Sequence, residues 1–217
     1  MAGWDSRPVT DPSLIARARA LADAGPRQLL GIAGAPGAGK STLAAGIVAA
    51  LGDMAALVPM DGFHLAGAEL HRLGRQARKG AIDTFDGAGY VALLRRLRFP
   101  DDATVYAPEF RREIEEPVAG AVPVPPSVRL VVTEGNYLLV PEHPWDGVRS
   151  LLDEVWFLDP GEDVRLRRLT ERHVRYGRDL AEATARAYGS DQVNAERIAA
   201  TAGRADLVLR PGSSVDR

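Results

Sequence analysis

Residues Gly34, Ala35, Pro36, Gly37, Ala38, Gly39, Lys40, Ser41 and Thr42 follow the pattern G-x-x-x-x-G-K-[ST], and their flanks restrict the fold more than any other part of the chain. Ahead of them, Gln28-Leu-Leu-Gly-Ile-Ala33 is a short apolar run suited to a buried parallel strand. Behind them, Ser41 to Leu51 carries apolar residues at helical period. A strand, a glycine-rich turn and a helix in that order bring backbone N–H groups and a helix N-terminus around one point, an arrangement that suits a polyphosphate. The lysine adds to this reading. Lys40 and Lys79 are the only lysines among 27 Lys+Arg, so positive charge is otherwise written as Arg. A compact ammonium fits where a planar guanidinium needs more room, and Ser41 is placed to ligate Mg²⁺.

The remaining pattern predicts an α/β protein with a parallel sheet. Pro12 to Ala24 reads as a helix capped by Asp11 and stopped at Gly25-Pro26, within an N-terminal extension over 1–27. Ala55 to Met60 is expected as a second strand ending at Asp61-Gly62, and Tyr90 to Arg98 as an amphipathic helix. Thr104 to Tyr106 is a short strand, Ala107 to Pro126 a polar, Pro-rich excursion, and Val128 to Thr133 a central strand. Glu154 to Leu158 is another strand, followed by an Arg-rich helix over Glu162 to Tyr176, a helix over Leu180 to Ala202 and a last strand at Ala205 to Leu209. Alternating strands and helices predict a three-layer fold with helices on both faces of the sheet and ligands at the carboxyl ends of its strands. The length of 217 residues fits one domain, with a disordered tail expected over 211–217.

Composition narrows the function classes. A net charge of −2 gives no bulk electrostatic reason for a nucleic-acid or membrane partner, and the absence of Cys removes disulfides and thiolate chemistry. The most apolar run, Val128 to Val140, is broken by Arg129, Glu134 and Asn136, so no membrane span is expected. With no signal peptide read at Met1, a cytoplasmic protein is the expectation, and a homo-oligomer stays open.

Two acids follow apolar strands and so face the ligand crevice: Asp61 and Glu134. Phosphoryl transfer needs one carboxylate beside Mg²⁺ and another to accept a proton from the attacking hydroxyl. Glu134 suits the metal side. Asp61 suits the base, on the argument that a second strand beside the phosphate strand carries it to the acceptor. His64, His71, His143 and His173 lack metal-ligand spacing, although His64 is close enough to Asp61 to orient it or touch the acceptor.

Gly34 to Thr42, Met60-Asp-Gly-Phe-His64, Arg78-Lys-Gly-Ala-Ile-Asp-Thr-Phe-Asp86, Val105-Tyr106, Val132-Thr-Glu-Gly-Asn-Tyr137 and Arg172-His-Val-Arg-Tyr-Gly-Arg178 resemble, in order, the uridine kinase, phosphoribulokinase and pantothenate kinase group of P-loop kinases. The similarity runs from about residue 28 to 210. The Asp-Gly-Phe-His variant, with Arg-Lys-Gly ahead of Asp83, looks closest to a bacterial nucleoside kinase-like or fructose-transport-system kinase branch. The resemblance implies ATP and Mg²⁺ as cofactors, Asp61 as general base, and Ser41 with Glu134 at the metal. It implies an acceptor pocket from Asp61, His64, Arg78, Lys79, Asp83, Phe85, Tyr106 and Tyr137, with Asp83 on ribose hydroxyls. It also implies a mobile lid over 162–180 whose Arg172, Arg175 and Arg178 close on the phosphates. The activity so implied is ATP-dependent transfer to a hydroxyl of a nucleoside or sugar. A pantothenate kinase-like acceptor and an ATP-hydrolysing regulatory protein remain as alternatives. Arg111 and Arg112 are open between an anionic acceptor and the neighbouring Glu113, Glu115 and Glu116.

Overall fold

The computed structural model describes residues 11–99, 101 and 103–210, so the tail expected over 211–217 and the first ten residues of the N-terminal extension lie outside it. Five strands form one parallel sheet: β1 (Gln28–Gly34), β2 (Ala55–Leu57), β5 (Leu130–Gly135), β6 (Glu154–Leu158) and β7 (Leu207–Leu209), in the order β2-β5-β1-β6-β7. Two further strands, β3 (Val105–Arg111) and β4 (Glu116–Val124), pair antiparallel as a separate hairpin. The helices are α1 (Pro12–Asp23), α2 (Lys40–Leu51), α3 (Gly67–Arg72), α4 (Gly87–Arg98), α5 (Asp146–Arg149), α6 (Glu162–Arg175), α7 (Leu180–Tyr188) and α8 (Ser190–Ala199).

Alternation along the strands builds the three layers. Leu29, Val131 and Phe157 point to one face, where they pack with Tyr90 and Leu94 of α4 and Ile198 of α8. Leu30, Ile32, Val132 and Trp156 point to the other, against Leu14 and Ala18 of α1 and Leu43 and Ile47 of α2. Both faces are covered, which is why these strands read as continuous apolar runs. Asp11 caps α1 as expected, its carboxylate accepting from the Ser13 N–H at 3.0 Å.

The structure corrects several expectations. The second strand lies beside β5 and not beside the phosphate strand β1, so Asp61 is brought next to Glu134 instead of directly next to the loop. That strand also ends early. Val58 still donates to Val132, but Pro59 has no N–H to continue the ladder, and Met60–Phe63 turns into a single 3₁₀ turn. The excursion after Tyr106 is the β3/β4 hairpin. Pro108, Pro117 and Pro123 mask it in the sequence, yet each strand has only one partner, and an edge strand tolerates proline. The helix expected over Leu180 to Ala202 is broken at Gly189 into α7 and α8.

The hairpin packs over the turn that carries Asp61. A Cβ on Gly62 would sit 2.4 Å from the Pro108 carbonyl oxygen, so only glycine permits this approach.

Candidate active site

The carboxyl ends of β1, β2 and β5, the hairpin tip and the end of α6 enclose a cavity of about 430 Å³. Its base is the loop between β1 and α2. Gly37 (φ +85°) turns the chain there, and a Cβ would meet the Arg165 carbonyl of α6 at 2.6 Å, so the loop and the Arg-rich helix are in backbone contact. Lys40, only 8% exposed, donates to Asn136 Oδ1 (2.8 Å) and to the Ala35 carbonyl (3.2 Å). Burial lowers its pKa, opposed by the negative charges of Glu134 and Asp61. The two hydrogen bonds tie Nζ between the loop and the end of β5, on the cavity.

Glu134, 7% exposed at the end of β5, accepts from the Ser41 hydroxyl at 2.8 Å. Burial raises its pKa, and the charge of Asp61 raises it further, against the pull of Lys40. Two hard oxygen donors thus meet beside Lys40. Among the described residues no cluster of three or more His, Cys, Asp or Glu side chains could hold a metal alone. This donor set fits Mg²⁺, which keeps waters and phosphate oxygens and takes one or two protein ligands.

Asp61 lies half-buried on the same cavity, and its backbone carbonyl receives His64 twice: from the His64 N–H (3.1 Å) and at Nδ1 (2.8 Å). The His64 ring is held between Phe85 and Phe110, with centroids 4.0 and 4.7 Å away. Burial lowers the pKa of His64, so its neutral form is favoured against the fixed aromatic rings. Lys79 donates to the Glu115 carbonyl at 2.5 Å and lies 4.9 Å over the Phe110 ring. Arg112, at the hairpin tip, is 3.7 Å from Asp61 Oδ2. From α6, Arg172 enters half-buried, its pKa lowered by burial and by Arg112.

Of the residues named from sequence, Pro36, Lys40, Ser41, Asp61, His64, Lys79, Phe85, Glu134, Arg172 and Arg178 line this cavity. Five others do not. Asp83 is paired with Arg78 and lies 3.5 Å from Arg75, so it and Arg78 neutralise each other off the wall. Tyr106 projects from β3, 58% exposed. Tyr137 is buried beneath the site, where its hydroxyl donates to the Gly80 carbonyl at 2.7 Å and props the loop that carries Lys79. Arg175 lines a different groove, with Leu180 and Tyr188 between α6 and α7. Three residues on from Arg172, it is turned about 60° away around the helix. The sequence reading missed Asn136, Phe110, Arg186 and the His173–Asp191 pair (2.8 Å), all on the cavity. Asn136 lies two residues after Glu134, just past the end of β5 at Gly135, where the chain enters the crevice.

No family model matches the chain. An Aspergillus versicolor protein named as the ATP-dependent kinase-like protein notR' is 38% identical over 148 residues, covering 64% of this chain and 86% of the relative. A "putative uridine kinase" of Schizosaccharomyces pombe is 34% identical over 195 residues, covering 85% of this chain and 83% of the relative. Among solved structures, a "putative fructose transport system kinase" from Silicibacter sp. TM1040 superposes with a TM-score of 0.81 at 36% identity, over 90% of this chain and 98% of that one.

Proposed function

The chain belongs to the uridine kinase-like family of P-loop kinases, and on that premise we propose that it transfers the γ-phosphate of ATP to a hydroxyl of a small molecule of the nucleoside and sugar class. One observation carries the reading: Asp61, Lys40 and Glu134, from three separate segments, converge on one cavity. A hydrolysing regulator needs the loop and a water-positioning group, but it has no use for a second wall. Here the hairpin and the loop before Phe85 build such a wall around Asp61.

In the proposed reaction the loop amides and Lys40 hold the β- and γ-phosphates. Ser41 and Glu134 would hold Mg²⁺, which would supply positive charge against the phosphates. Asp61 takes the proton of the acceptor hydroxyl as its oxygen bonds to the γ-phosphorus, and the bond to the β,γ-bridging oxygen breaks to release ADP. Arg172, with Arg178 from the turn after α6, supplies positive charge to the transferring group. The segment 162–180 would close over the nucleotide and exclude water.

The test is whether ADP formation depends on an added hydroxyl acceptor. Acceptor-dependent ADP release supports transfer. An unchanged ADP rate with and without every acceptor would leave a hydrolase.

A further inference from the structure

The acceptor wall of the cavity sets a guanidinium, that of Arg112, against the carboxylate of Asp61. Asp83, the carboxylate that the family resemblance puts on ribose hydroxyls, is committed to Arg78 and Arg75 and does not reach the cavity. The charged side chains that do reach it from the loop and the hairpin are Lys79, Arg112 and Glu115; Glu115 lies 3.5 Å from Lys79, and Arg112 is the cation set against Asp61. Arg112 has an unusual position. The hairpin register closes at Arg111↔Glu116, leaving Arg112 as the first residue of a four-residue tip. That tip also holds Glu113 and Glu115, yet the guanidinium is what meets Asp61. At 3.7 Å the contact is a charge contact and not a hydrogen bond. The guanidinium carbon of Arg112 lies over the Tyr176 ring, 5.6 Å from its centroid, at the end of α6. The group therefore rests against the ring of Tyr176 and is held to Asp61 by charge.

A phosphate or carboxylate offers a guanidinium two oxygens at hydrogen-bond length, a stronger contact than the one Asp61 makes. We propose, resting on the phosphotransfer reading above, that the acceptor is a hydroxyl compound that also carries an anionic group, and that Arg112 leaves Asp61 to bind that anion, with Lys79 beside it. The exchange uncovers Asp61 only when a correct acceptor is present. A neutral acceptor leaves the base paired with Arg112, which discriminates against it twice: by the missing contact and by the masked carboxylate.

The test uses the intact protein loaded with Mg²⁺ and a non-hydrolysable ATP analogue. Ribose 5-phosphate is titrated against ribose, and gluconate against glucose, by calorimetry. In at least one pair the anion should bind about tenfold tighter than its neutral parent, as expected for one charge-assisted contact, and the responsive pair tells phosphate from carboxylate. Arg112→Gln should erase that preference and leave the affinity for the nucleotide analogue unchanged. If neither anion outbinds its parent, or if Arg112→Gln keeps the preference, the inference is overturned while the kinase reading stands. A protein that fails to bind the nucleotide analogue, or that with ATP in place of the analogue releases ADP at a rate that ignores all four compounds, would instead remove the kinase reading.

Discussion

Ser41 and Glu134 are joined by a 2.8 Å hydrogen bond that ties the first turn of α2 to the end of β5. The bond places two oxygen donors beside Lys40 before any nucleotide arrives. Glu134→Gln preserves an acceptor for Ser41 but removes the charge. Turnover should fall by about 10²–10³-fold, in the range seen when a stabilising charge is lost from an active site. A Mg²⁺ titration of turnover checks the cause: the variant should need far more Mg²⁺ to saturate.

The same carboxyl sets a pH dependence of stability. Burial and the charge of Asp61 raise its pKa above the ordinary 4.5, so in the folded chain it holds its proton more tightly than in the unfolded chain. Its contribution is fully present below 4.5 and is lost as pH rises through the raised folded value. Calorimetric melting of the nucleotide-free protein should show Tm declining over that interval, and Glu134→Gln should flatten the decline. Above it the variant should melt higher than the wild type, by about 2–4 °C for each kcal/mol removed. Lys40 acts oppositely and on the alkaline side, because burial lowers its pKa from 10.5.

Gly62 couples the hairpin to the base. A methyl group there would press on the Pro108 carbonyl from 2.4 Å, and backbone cannot yield as a side chain does. Gly62→Ala should displace the hairpin from the Met60–Phe63 turn at a stability cost of about 1–3 kcal/mol. Because the Arg112–Asp61 contact spans the same junction, acceptor KM should rise while nucleotide affinity holds, which denaturant melts and steady-state kinetics together would show.

What the sequence revealed follows from how local each signal is. The strand, loop and helix around Lys40 are contiguous, and buried parallel strands are apolar without interruption, so β1, β5 and β6 could be read directly. Asp61 and Glu134 were visible because both stand just after such runs. Sheet order was not, since nothing along the chain says that β5 intervenes between β2 and β1. The hairpin was hidden by prolines that only edge strands accept, and with it the meeting of Arg112 and Asp61, 51 positions apart in number. Asp83 illustrates the converse: a residue type in the right motif, taken out of the site by arginines five and eight positions earlier.

Asp61→Asn separates phosphoryl transfer from nucleotide binding. The exchange keeps the size of a half-buried side chain and removes only its capacity to take a proton. Acceptor-dependent ADP formation should fall by about 10²–10⁴-fold while calorimetry shows the Mg²⁺–nucleotide analogue binding as in the wild type. Unchanged acceptor-dependent turnover in Asp61→Asn would contradict the account.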